Sequence, residues 1–311
     1  MSLAYYFFVD LNFHLHLPDK YFILTHEKKL SNTGNIKMSK NILPFLLLLL
    51  FIVNQPIFAQ TDENYENGKY VPLNERLQSM KPINLIDCPT ANLLMVRRFQ
   101  LKMRVYEKGG MLAGLVVRLT PGLMFGVSYG GQNIIGHGKV NWNEAPGVNV
   151  RYQMRMEDLR FPGISLGFDS QGYGTYYPDL KRYQIKSKGL YVVASKNYSL
   201  LKDLGLHGGI NYSTENKESE KDINFFIGAH LMVDRQMSLF WEYDFAINDN
   251  ADSSMGTGKG YMNVAVRWAF SSKLLLEFSI KNLLKNNKKI PGVAELPNEG
   301  RELKIIYVER L

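Results

Sequence analysis

The chain has 311 residues, with 37 Lys and Arg against 29 Asp and Glu, so it carries a formal net charge of +8. That length allows one or two domains, and a mean hydropathy of −0.19 excludes a bundle of transmembrane helices. The single cysteine, Cys88, excludes an intramolecular disulfide framework and any CxxC metal or redox pair.

Residues 1–37 hold aromatic patches such as AYYFF but no sustained period, and are read as a disordered start-site extension. The text then changes to MSKNILPFLLLLLFIVNQPIFAQ, and residues 38–59 are read as a signal peptide. Lys40 gives the positive end, 42–53 the uncharged run, and Ile57-Phe58-Ala59 the small-residue site before Gln60. The run is too short to serve as a mature membrane helix. Residues 60–95 are polar and contain Pro72 and Pro82; they are expected to form a periplasmic lead-in with a short helix over 73–80.

Residues 96–311 alternate. In 99–105, Phe99, Leu101, Met103 and Val105 share one face, while Arg98, Gln100, Lys102 and Arg104 share the other. Similar strands are predicted over 111–120, 123–129, 148–156, 163–171, 183–195, 206–215 and 223–233. Further strands follow over 238–248, 261–270, 274–281 and from 301 to the end. The stretch around LYVVA, within 183–195, is apolar on both faces. No helical layer is available to cover the apolar faces, and a secretion signal comes first. An all-β fold follows: a transmembrane up-and-down antiparallel β-barrel of about 12 strands, with lipid outside and a polar lumen.

The connections support this independently. PG, EDLRFP, DRQM and SSK are short, whereas GGQNIIGHGKVNWNEAPG, GYGTYYPDLKR, NKESEKD, NDNADSSMGTGKG and LKNNKKIPGVAELPNEG are longer and fall between them, with the first connection of that set, EKGG, as the exception. Short turns on one rim and long loops on the other are the pattern of outer-membrane barrels, with both termini periplasmic. The final LKIIYVERL, with Leu303, Ile305, Tyr307 and Leu311 on one face, resembles the signal read by the barrel-assembly machinery. The basic surplus then reflects luminal arginines, together with loop lysines that meet lipopolysaccharide, rather than nucleic acid.

Three stretches, CPTANLL, DSQGYGTYYPDL and LYVVASKNYSLLKDLGLHGGINY, resemble the YjbH-like outer-membrane proteins associated with exopolysaccharide export. The resemblance implies a bacterial outer-membrane barrel linked to surface polysaccharide, with polysaccharide export components as partners. It supplies no catalytic residues.

Candidate chemistry is thin. His207, Asn211 and Ser213 fall on one face at period two and can be drawn as a triad, but luminal lining is the better reading. GHGK around His137 lacks the spacing of a P-loop, and Gly256–Gly260 has no parallel sheet before it. Asn248, Asn250 and Asp252 begin like a calcium loop, but Ser253 replaces the turn glycine and Lys259 the bidentate Glu. His137, His207 and His230 are too scattered for a transition-metal site, so no metal, cofactor or catalytic activity is expected. Trp241, Trp268, Tyr129, Tyr152, Tyr243 and Tyr307 suit aromatic girdles at the bilayer interfaces.

The sharpest expectation is a luminal charge network. Arg98, Lys102, Arg104, Arg118, Arg151 and Arg155 come early; Asp169, Glu215, Glu242, Asp244 and Glu277 come later. Arg151 and Arg155 should face Glu242 and Asp244 from opposite walls, with Arg267 pairing locally to Glu242 or Asp244. Two roles fit: a narrow pore or export accessory for surface polysaccharide or another hydrophilic solute, or a closed barrel acting as a structural or interaction module. A plugged interior favours the second.

Overall fold

The computed structural model describes residues 81–198, 204–215, 221–234, 236–251, 254–271, 273–288 and 299–311. Its strands, in chain order, are β1 (Arg98–Tyr106), β2 (Gly110–Thr120), β3 (Leu123–Gln132), β4 (Asn141–Trp142) and β5 (Gly147–Arg155). They continue with β6 (Gly163–Asp169), β7 (Tyr173–Tyr177), β8 (Arg182–Ile185), β9 (Gly189–Tyr198) and β10 (Leu204–Tyr212). The last five are β11 (Asn224–Met232), β12 (Met237–Asp244), β13 (Tyr261–Ala269), β14 (Leu274–Lys281) and β15 (Gly300–Arg310).

Thirteen strands share one sheet; all but β4, a short addition at the end of β3, form a closed antiparallel ring of twelve. The ring closes because β1 pairs with β15 on one side and with β2 on the other, and β2 pairs with β3. Closure leaves no unpaired edge, which a barrel in hydrocarbon requires. Both β7 and β8 stand apart as a hairpin within the loop between β6 and β9.

Alternation sets the two faces. Leu101, Leu115, Phe125, Leu166, Val192, Ile210, Ile227, Leu239 and Ile280 all point outward and are exposed. So large a continuous apolar surface is stable only against lipid. Their sequence neighbours point inward and are buried: Arg104, Arg151, Ser165, Ser195, His207, Glu242, Asn263, Glu277 and Lys304 among them. Near the short-turn rim Phe99 packs on Tyr307 and Trp268 on Phe270; towards the long-loop rim Tyr129 stacks on Trp142 and Tyr243 packs on Phe245. Aromatic rings half in water are stable at these two levels. Trp241, expected at an interface, instead sits mid-strand beside Ala229 and Val264.

Two expectations change. The strand predicted over 183–195 is two: Arg182–Ile185 belongs to the loop hairpin, and the barrel strand starts at Gly189. Gly189 sits at φ +60, and a Cβ there would lie 2.1 Å from the Tyr212 carbonyl oxygen. The second change concerns the lead-in. Its described part, from Lys81, is inside the barrel rather than below it: Leu85, Ile86, Cys88, Thr90 and Ala91 are all buried. The expected extension, cleavage site and helix over 73–80 lie outside the described residues.

Candidate functional site: the plugged lumen

The inserted segment rises from Lys81, which pairs with Glu157 in the β5–β6 turn at 2.7 Å. It doubles back as a tight hairpin over residues 83–90, joined by a bridge between Asn84 and Pro89. Leu85 N donates to the Cys88 carbonyl at 2.9 Å and Thr90 N to the Ile83 carbonyl at 3.2 Å. The Thr90 hydroxyl donates to the Pro82 carbonyl at 2.6 Å and accepts from Asn92 N at 3.2 Å. These local bonds explain why CPTAN has the residues it has. Proline ends the tip, while Thr and Asn close the hairpin on itself.

The tip presents three successive backbone N–H groups, from Ile86, Asp87 and Cys88, to the Glu242 carboxylate at 2.9–3.0 Å. Asn263 donates to the same carboxylate at 2.8 Å. Adjacent backbone amides converging on one anion form a nest, and Glu242 fills it.

Backbone carbonyls of the segment face the opposite charge. Arg151 donates to the carbonyls of Ile83 and Asn92 at 2.5 and 2.9 Å, and Arg267 to Leu85 at 3.0 Å. Lys304 reaches the Ile86 carbonyl at 2.9 Å, and Arg118 the Leu94 carbonyl at 2.6 Å. Asp87 itself pairs with Arg104 at 2.5 Å and Lys281 at 2.6 Å, both of which also pair with Glu302. Between these contacts Leu85, Ile86, Cys88 and Ala91 pack on Tyr191, Val193, Phe226, Phe240 and Ala265. Gly228 makes room: a Cβ there would stand 2.5 Å from the Leu85 side chain.

The expected network is therefore reorganised. Arg151 and Glu242 do lie on well-separated walls, but the hairpin sits between them and each holds it. Arg267 pairs with Glu277, not Glu242 or Asp244, and Asp244 pairs with Lys188. Arg155 is exposed at the short-turn rim, where it meets Asp158 at 2.9 Å; the register shift after Gln153 turns it out of the lumen. Arg98 and Lys102 lie half-buried on the inward face of β1, and Asp169 accepts from Asn149 at 2.8 Å.

The drawn triad does not form. His207 Nδ1 bonds the Ser195 hydroxyl at 2.7 Å and its Nε2 meets His230 Nδ1 at 2.9 Å, while Asn211 donates to the Lys188 carbonyl. Ser195 also accepts from Ala91 N at 2.8 Å, so this chain too ends on the hairpin. Ser195 went unnoticed because it sits on β9 and His207 on β10; they are opposite each other only in the register of that pair.

The long-loop end is closed by the β7–β8 hairpin, which folds over it as a lid. Arg182 grips Asp249 at 2.7 and 3.0 Å, Lys186 donates to the Asn248 carbonyl at 2.7 Å, and Gln132 to Thr175 at 2.5 Å. The supposed calcium loop thus directs an acid and a carbonyl at cations of the lid; Asp252 and Ser253 lie outside the described residues. Among the described residues no group of three His, Cys, Asp or Glu could hold a metal ion. Glu215, placed in the lumen from sequence, instead lies just beyond β10. It accepts from Tyr183 N and Ser187 N of the lid at 3.1 and 3.3 Å. Burial pushes its carboxyl up to about 7, against those hydrogen bonds.

No family model matches the sequence, and no curated protein does. Among solved structures the chain is similar to a KdgM porin, with 9% identity and a TM-score of 0.42 over 68% of this chain and 98% of that one. A NanC porin is similar at 10% identity and TM-score 0.41 over 68% and 99%. An outer membrane channel from Pseudomonas putida F1 stands at 12% and 0.41 over 70% and 98%. Likeness of this degree carries no argument about what the present barrel binds.

Proposed function

We propose that the chain is a bacterial outer-membrane channel for hydrophilic solutes, held shut at rest by its own N-terminal hairpin. The observation behind this reading is the polar clamp on the hairpin: Arg151, Arg267, Lys304 and Arg118 all hold backbone carbonyls. A permanent filling would be at least as stable with apolar partners, since each buried ion carries a desolvation cost on the order of several kcal/mol. Carbonyl oxygens are also the groups that water or sugar hydroxyls replace when the hairpin leaves. With short turns towards the periplasm, the hairpin enters from that side and the lid faces out. The resemblance to YjbH-like proteins supports surface polysaccharide as the solute class and export components as partners. Lys139, Lys181, Lys259 and Lys288 lie in the outward loops and suit lipopolysaccharide phosphates.

A second reading, a closed structural or interaction module, is favoured by the filled lumen itself and by the apolar contact of Leu85 and Ile86 with Phe226 and Phe240. Single-channel recording separates the two. The parent should stay mostly closed, and Glu242→Ala, which strips the acceptor from three buried N–H groups, should open it for longer. A variant whose Cys88 becomes reactive to a thiol reagent but which never conducts would leave only the closed module standing.

A further inference from the structure

A cavity of about 60 Å³ lies between the lid and the wall at the outer end of the hairpin. Arg104, Lys281, Arg301 and Lys108 line it against two carboxylates, Glu302 and Glu107. Asp87 lies beneath, so the balance is four cations to three anions. Arg104 is 1% exposed, and its Nη1 has no hydrogen-bond partner although Nε and Nη2 are engaged by Glu302 and Asp87. Its guanidinium lies 4.1 Å from the centre of the Tyr173 ring, and the Lys281 amine 4.9 Å from the same ring. Gln132 and Gln184 add amides, and Tyr106 a second ring. An unspent guanidinium nitrogen beside a second cation is the chemistry that recognises a planar oxyanion. The surrounding amides and rings suit a hydroxylated body attached to it.

We propose that this cavity binds the carboxylate of an acidic hydrophilic solute, which draws Arg104 and Lys281 away from Asp87 and so loosens the hairpin. The release rests on the gated-channel reading; the binding does not. One added carboxylate brings the local balance to neutrality. Because Asp87 is the hairpin's own side-chain carboxylate at this point, solute and hairpin compete for the same two cations.

The test uses the full chain in lipid vesicles, with glucuronate as probe, glucose as its neutral counterpart and inorganic phosphate as the other oxyanion. Calorimetry should detect glucuronate and not glucose, and Arg301→Ala, at the exposed entrance, should weaken binding by about tenfold. Saturating glucuronate should speed maleimide labelling of Cys88, the chain's single cysteine, which is fully buried at the hairpin tip. Equal binding of glucose, binding of phosphate alone, or binding without faster labelling would each overturn the proposal. Glu242→Ala is the control for gating. If it also fails to expose Cys88, the gated reading falls on its own, whatever glucuronate does.

Discussion

Glu242 and Val150 show how little of a strand residue's role lies in its side chain alone. Both occupy ordinary alternating positions, one inward and one outward. Val150 pairs with Phe125 and Phe168 across the outer surface, so its environment is hydrocarbon. Val150→Arg should therefore destabilise the barrel by about 2–4 kcal/mol near the bilayer midplane, measured by denaturant titration in vesicles. Gln153, three residues on, faces inward and donates to the Ala91 carbonyl at 3.3 Å. Gln153→Arg should be milder; equal costs would mean the faces are wrongly assigned. The inward position of Glu242 was legible from period two. Its partner was not, because three backbone amides carry no sequence signature.

At the scale of the element, the β7–β8 lid behaves as a separately titrating part. Glu215 titrates near 7 when docked, above its ordinary 4.5, so it stabilises the docked lid fully below about 4.5. That contribution declines as pH rises and is lost above about 7. Amide exchange over 173–187, corrected for intrinsic rate, should show weaker protection at pH 8 than at pH 5, and Glu215→Gln should flatten the difference. The lid was invisible in the sequence because RYQI is joined to GLYVVA by only Lys186-Ser187-Lys188, and Gly189 is the sole glycine or proline at the break. LYVVA read as apolar on both faces for a reason now plain: Tyr191 and Val193 point inward onto the hairpin, not into water. A strand apolar on both faces was one sign that something fills the lumen. The inward glycines were a second sign, since Gly228 leaves space that Leu85 takes.

For the whole molecule, the ring of strands was readable because most barrel strands obey one period and, after the first hairpin, long loops fall on one rim. The hairpin was not, because residues 81–94 follow neither the strand nor the helix period and carry two prolines, as a linker does. Their burial depends on long-range partners such as Glu242 and Arg151, which no local window contains. A ring without edges, braced from within, should resist dodecyl sulfate at room temperature and change gel mobility only on boiling. Identical mobility before and after heating would count against the architecture.

The place of Asp87 has a consequence for how the barrel is assembled. The two strands of the closing seam, β1 and β15, come from opposite ends of the ring's sequence, so their pairing has the largest chain separation to overcome. Asp87 is bonded to Arg104 on β1 and Lys281 on β14, and both cations share Glu302 on β15. The hairpin is thus a latch across the closing seam, carried to it by the strand it precedes. Asp87→Ala should slow the appearance of the compact gel form during refolding while leaving β2–β14 pairing intact. On this view the segment that shuts the lumen is also the one that finishes the wall.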